Sequence, residues 1–324
     1  MATPAATTSP TRGLRAGVLL LALAAPPLFA FADCPPAASE PSAERIRAGQ
    51  QNARDHGFLW RIGKGGRTSY LYGTLHIAKV EWMFPGPRVA QALRESDTVA
   101  LELDLLDAEV TVRMINAVST WQGPALPDAL QQRLARQFEA ACLPAEALAA
   151  LPPELQIDQL GTLSARRDGI DPAYGIDRFL AGYARREKKA VVSLETPELQ
   201  AEALRLPDPR DAQALVENGL AELEADRVRP MVLRIARVWA ESDVGALDHY
   251  NDWCECRGSA AERDLMKRLL DDRNPAFAER IAALHEGGQR VFAAVGSLHM
   301  VGPGGLPALL ARRGYRVERV ELRR

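Results

Sequence analysis

Apolar residues alternate with polar ones in short runs near both ends of the chain and recur at helical spacing through its middle. "GFLWRI" and "SYLYGTLH" flank the Gly-rich "GKGGRT", two apolar-aromatic runs about a turn, which is the pattern of a β-hairpin. "PGPRVAQALRESD" has helical spacing, and "TVALELDL" follows as a strand. In that strand Val99, Leu101 and Leu103 share one face, while Ala100, Glu102 and Asp104 share the other, with Asp104 expected to point to solvent.

From about 107 to 287 the pattern is mostly helical. Leu126, Leu130, Leu134 and Phe138 recur every four residues on a helix entered through Pro127. "YGIDRFLAGYARREKK" is a second amphipathic helix running into the short strand "AVVSLE". Thr196-Pro197 starts another helix, Ser259 to Glu262 reads as a capping box, and Asn274-Pro275 opens a helix carrying Phe277, Ile281 and Leu284, with Asn274 as its cap. The chain closes as strand "RVFAAVG", loop "SLHMVGPGG", helix "LPALLARRG" and strand "YRVERVEL". Strands separated by helices predict an α/β fold. Its central sheet is mixed and largely parallel, helices flank it, and a long helical insertion at about 107–287 caps it.

The first 32 residues stand outside this pattern. Arg12 and Arg15 precede an apolar run broken by Pro26 and Pro27, and Ala30-Phe31-Ala32 is an A-x-A cleavage signal. The segment reads as a signal peptide cut after Ala32, with a polar, irregular leader over 33–55 that has room for one helical turn, and one domain over 56–322. No second apolar stretch reaches membrane-spanning length, so the expected product is exported, periplasmic or secreted, with no transmembrane segment. A formal charge of −2 in 324 residues excludes a strongly basic nucleic-acid binder. Export makes the four cysteines informative: Cys34, Cys142, Cys254 and Cys256 are an even number for an oxidising compartment. Two longer bridges are expected, because Cys254 and Cys256 would close only a small ring.

Candidate chemistry gathers at the strand ends. Two of the five histidines close matching tetrapeptides, Gly73-Thr74-Leu75-His76 and Gly296-Ser297-Leu298-His299, each behind an apolar strand-like run. Glu102 lies near the end of "TVALELD" and Glu195 ends "AVVSLE". Ligands in open α/β sheets collect beyond the carboxyl ends of strands, and these four ends converge only if their strands are neighbours. Two imidazoles with one or two carboxylates suit a divalent ion, whether zinc, manganese, cobalt or ferrous iron. Against this stands the plainer reading of each histidine as a hydrogen-bonding residue after a strand.

Arg273 is a candidate for stabilising an oxyanion or for a surface pair with Asp271 or Asp272. Asp177 is a candidate partner for the site or an ordinary first-turn acid. His56, His249 and His285 read as structural or surface residues, and the five tryptophans as core. The chain has no H-E-x-x-H and no G-x-S-x-G.

"YLYGTLHIAK", "VALELDL", "YGIDRFL", "VVSLET", "DRNPAF" and "VFAAVGSLHMVGPGGLPALLARRGYRV" together resemble the TraB/PrgY/GumN family over roughly 56–322, and in the family's order. That family is similar to the Tiki proteases and, more distantly, to ChaN and erythromycin-esterase-like proteins. The resemblance implies a divalent-metal-dependent peptidase with a peptide or protein substrate. His76 and His299 would be metal ligands and Glu102 their carboxylate partner, while Glu195 and Arg273 fall in family-like motifs. The catalytic roles expected of them are Glu195 taking a proton from water and Arg273 steadying an oxyanion. A non-catalytic metal-, haem- or peptide-binding protein, or an accessory factor for envelope polysaccharide export, is the alternative reading.

Overall fold

The computed structural model describes residues 34–35, 38–121 and 125–322; the expected signal peptide lies outside them. The hairpin forms as expected. β1 (Phe58–Lys64) pairs antiparallel with β2 (Arg67–Thr74), and Gly65 and Gly66 take the positive φ that the turn needs. β3 (Thr98–Leu101), β4 (Ala190–Ser193), β5 (Val291–Gly296) and β6 (Arg316–Val320) complete one sheet in the order β4-β3-β5-β2-β1-β6. β4, β3, β5 and β2 run parallel, and β1 and β6 are antiparallel to their neighbours. The sheet is therefore mixed and largely parallel.

Helices cover both faces. On one, Val99, Leu101, Phe292 and Ala294 pack against α2 (Pro87–Glu95) and α6 (Ile176–Arg186). On the other, Ala100, Val291, Ala293 and Val295 pack against α13 (Asn274–Glu286) and α14 (Leu306–Arg312). The unbroken apolar run of β5 follows from this burial on two sides.

Between β3 and β5 the described elements are helices, apart from β4. Its helices are α3 (Ala108–Ser119), α4 (Asp128–Ala140), α5 (Pro153–Leu163), α6, α7 (Pro197–Leu204), α8 (Pro209–Glu224) and α9 (Val228–Ala240). The shorter α10 (Val244–Asp248), α11 (Tyr250–Trp253) and α12 (Ala260–Met266) follow. The every-fourth apolar stripe of α4 forms a separate small core with Ile157 and Leu160 of α5 and Val216 and Leu220 of α8. Thr196 caps α7, and Ser259 with Glu262 forms the capping box of α12. No helix among the described residues is long and apolar enough to cross a membrane.

Several expectations need correction. The 33–55 leader holds α1 (Ala43–Gln51), a helix longer than one turn, because Ser42 caps it at Arg45 N–H and good helix formers follow. β3 stops at Leu101, and Asp104 is buried, held by Arg185 through both carboxylate oxygens. Asn274 is no cap, because a π-helical turn, Lys267–Asp271, runs almost directly into α13 and leaves Arg273 in helical conformation at the cap position. Cys34 pairs with Cys142, a long bridge, but Cys254 pairs with Cys256. Glu255 makes that small ring closable by adopting φ 53°. Of the tryptophans only Trp239 is fully buried, and the others are half-buried.

Candidate functional site

The parallel register explains why two tetrapeptides so far apart in sequence meet. In the β2–β5 ladder Gly73 lies opposite Val295 and Thr74 opposite Gly296, so the two strands end side by side. A Cβ on Gly73 would sit 3.0 Å from Ser297 Oγ and 3.2 Å from its Cα, so any larger residue would push the two motifs apart by a few tenths of an ångström. Ser297 Oγ donates to the Thr74 carbonyl at 2.7 Å, and the Trp239 indole donates to the Gly73 carbonyl at 2.9 Å. β3 and β4 bring the carboxylates from the other side, with Leu101 opposite both Ala294 and Ser193. The four expected strand ends are thus contiguous.

Glu102 stands at the centre. Its Oε1 accepts from Gly296 N–H at 2.7 Å and lies 3.6 Å from His299 Nε2 and 4.0 Å from His76 Nε2. Its Oε2 accepts from Arg273 Nη2 at 2.6 Å and from Gln200 at 3.4 Å. Arg273 also forms a two-point pair with Glu195, by Nε at 3.1 Å and by Nη2, and its Nη1 lies 3.4 Å from His299 Nε2. The alternative surface pairing of Arg273 with Asp271 or Asp272 is therefore not the one formed. Glu195 has both oxygens engaged, since Gln200 donates to Oε1 at 3.0 Å.

The far side of each histidine ring is held as well. His76 Nδ1 lies 2.7 Å from Asp177 Oδ2, and a carboxylate only accepts, so Nδ1 carries the proton. His299 Nδ1 lies 2.6 Å from Asn274 Oδ1, whose amide orientation is set by Nδ2 donating to the Gly304 carbonyl at 2.9 Å. In their neutral forms both rings therefore turn an Nε2 lone pair toward Glu102. Their surroundings differ: the His76 side chain is 66% exposed and that of His299 4%.

The Asp177 carboxylate beside it raises His76 to about 9, and Glu102 acts in the same direction. Burial lowers His299 to about 4 despite the nearby Glu102. Burial alone would push Glu102 up, but His299, His76, Arg273 and the Gly296 N–H hold it at about 2. Burial raises Glu195, although Arg273 opposes it.

Donors about 2.1 Å from a tetrahedral ion lie about 3.4 Å apart, and the two imidazole-to-carboxylate separations are near that spacing. Among the described residues no group of three or more such side chains stands in a geometry that could hold a metal ion, this trio included. A cradle exists between them: a Cβ added to Gly296 would lie 3.3 Å from Glu102 Oε1, 3.5 Å from His76 Nε2 and 3.7 Å from His299 Cδ2. The three side chains thus match a divalent ion in donor type and tautomer, and would have to draw closer together to hold one.

Gly296 has φ −49° and ψ 138°, which alanine adopts freely. Gly296→Ala is expected to change folding stability by no more than about 1 kcal/mol. If these side chains hold an ion, cobalt(II) binding should be lost, because the methyl group occupies the cradle. Urea melts and a cobalt titration on the same preparation check both halves.

The remaining histidines lie elsewhere. His285 is buried between Ser69 and the Lys64 carbonyl, His56 stacks on Trp239, and His249 pairs with Asp252 at the surface. Sequence reasoning missed Gln200, which carries no motif, and the support that Asn274 gives to His299. Asn-Pro at a helix start concealed that support, since the pair ordinarily signals a cap.

Fold and site together define an α/β protein whose paired strand-end histidines converge on one buried carboxylate. The chain belongs to the TraB/PrgY/gumN family, whose model matches residues 58–319. It is 27% identical over 249 residues to the uncharacterized protein YbaP of Shigella flexneri, covering 76% of this chain and 89% of the relative. The YbaP protein of Escherichia coli (strain K12) matches with the same identity and coverage. No solved structure matches the chain.

Proposed function

We propose that the protein is an exported, divalent-metal-dependent hydrolase acting on peptides or proteins. The observation that carries this reading is the convergence of His76 Nε2 and His299 Nε2 on Glu102 Oε1, with each Nδ1 tied to an oxygen behind it. His76, His299 and Glu102 would hold the ion, whether manganese, cobalt, zinc or iron. Bound there, it would supply Lewis acidity to a scissile carbonyl and lower the pKa of water. Arg273, with a side chain 12% exposed and fixed by two carboxylates, offers a preorganised positive charge where an oxyanion develops. Glu195 was the expected proton acceptor, and its raised carboxyl suits that task. With both oxygens bound to Arg273 and Gln200, we assign it instead to holding Arg273 in place.

The peptide class rests on the resemblance to Tiki-like peptidases. Export rests on the charged, then apolar, N-terminal run ending in Ala30-Phe31-Ala32. A second reading, a non-catalytic metal-, haem- or peptide-binding protein, is favoured by one feature. Glu195 and the Nη2 of Arg273 are already spent on one another and on Glu102, leaving no free acid or base there. The two readings separate on a mixture of unstructured peptides incubated with the chain from Asp33 onward. A hydrolase cleaves them repeatedly, stops with chelator and resumes with manganese or cobalt. Stoichiometric retention of ligand without turnover would replace the hydrolase with the binder.

A further inference from the structure

Asp177 lies in the first turn of α6, where an acid ordinarily serves the helix dipole. Its side chain does something more specific. Oδ1 accepts from the Thr74 hydroxyl at 2.6 Å, and Oδ2 accepts from His76 Nδ1 at 2.7 Å. Both acceptors are thus committed to the first tetrapeptide. The backbone reinforces this: Ile176 N–H donates to the Leu75 carbonyl at 3.0 Å, and a Cβ on Gly175 would meet the His76 carbonyl oxygen at 2.5 Å. The start of α6 is therefore pressed onto the loop that carries His76. Thr74 is itself fixed to the second tetrapeptide, because its carbonyl accepts from Ser297 Oγ.

The two histidines need different amounts of help. His299 is enclosed, with the Phe277 ring 5.2 Å away and Asn274 behind it, so packing alone limits its rotamers. His76 is exposed on most of its ring surface, and its one close side-chain partner is Asp177. Without a hydrogen bond at Nδ1, such a ring would rotate about both side-chain torsions and exchange tautomers.

We infer that Asp177, braced by Thr74, is a positioning residue that fixes the rotamer and tautomer of His76 so that its Nε2 faces Glu102. This rests on the proposed metal role of His76 and assigns how that ligand is kept ready. A carboxylate behind an imidazole also makes the other nitrogen a better donor, and losing such a partner typically costs 10- to 100-fold in metal affinity.

The test compares the wild-type chain with Asp177→Ala and the isosteric Asp177→Asn by cobalt(II) titration and by ¹⁵N NMR of the histidine rings. In Asp177→Ala, cobalt affinity is expected to fall about 10- to 100-fold. The Nδ1-bound proton signal of His76 should be lost, and its neutral ring should populate both tautomers. His299 signals should stay unchanged, which loss of structure in general would not give. Asp177→Asn keeps the shape but loses the charge and should fall between the two; it decides the matter if the alanine variant does not fold. Wild-type cobalt affinity and unshifted His76 resonances in a folded variant overturn the inference. If the wild-type chain takes up no metal, the proposed function fails, and the His76 tautomer signal alone then decides for or against Asp177.

Discussion

Replacing either motif histidine with alanine is expected to remove cobalt or manganese binding and any peptide cleavage that depends on it. On the proposed function each change deletes one of three donors, so the loss should exceed the ~100-fold upper range for removing a supporting residue. The two variants should differ in stability. The His76 side chain is 66% exposed, so the solvent-screened pair with Asp177 that His76→Ala loses should cost no more than about 1 kcal/mol. His299→Ala strips the donor from the buried Asn274 carbonyl and opens space beside Phe277, a cost of about 1–3 kcal/mol. Equal loss of metal with unequal loss of stability would place both residues in one site while separating function from folding. Urea unfolding alongside metal titration measures both.

Arg273→Ala should have the largest effect on folding. The guanidinium is the cation shared by Glu102 and Glu195, whose side chains are 9% and 5% exposed. Removing it leaves two buried carboxylates facing one another, which typically costs about 3–5 kcal/mol. The sign of the pH dependence should reveal the cause. In the wild type Glu102 sits at about 2, below an unfolded value of 4.5, so its contribution is present above 4.5 and is lost as pH falls toward 2. In Arg273→Ala, burial and mutual repulsion should lift one carboxyl above its unfolded value. The penalty is then full at high pH and relieved on acidification. The stability difference between the two proteins should therefore shrink from pH 8 to pH 5 in urea melts. A difference independent of pH would mean that Arg273 contributes packing rather than charge.

Much of this architecture was legible in the sequence because the relevant signals are local. Alternation gave the hairpin, the every-fourth stripe of Leu126, Leu130, Leu134 and Phe138 gave α4, and Thr196-Pro197 gave the start of α7. The pairing of GTLH with GSLH was legible as well, because the same residue types follow two strand-like runs. What the sequence did not carry was the neighbour relation of strands. Only the order β4-β3-β5-β2 turns four separate strand ends into one site, and that order depends on pairings of high sequence separation. Asp104 was misjudged for the same reason, since its partner Arg185 lies on α6. Arg273 was recognised but not its partners, because a π-helical turn sets its direction and has no simple sequence signature. The Cys254–Cys256 pairing depended on a positive φ at Glu255, a conformation a glutamate rarely adopts.

The proposed function requires His76 and His299 to share one ion with Glu102. X-ray absorption at the cobalt edge, on the chain from Asp33 onward loaded with one equivalent of cobalt(II), tests this most directly. The wild type is expected to hold one ion tightly, with scattering that fits two imidazole rings and at least one carboxylate oxygen, and His76→Ala is expected to leave the cobalt in solution without ring scattering. Scattering from oxygen alone in the wild type, or an unchanged spectrum in the variant, would contradict this.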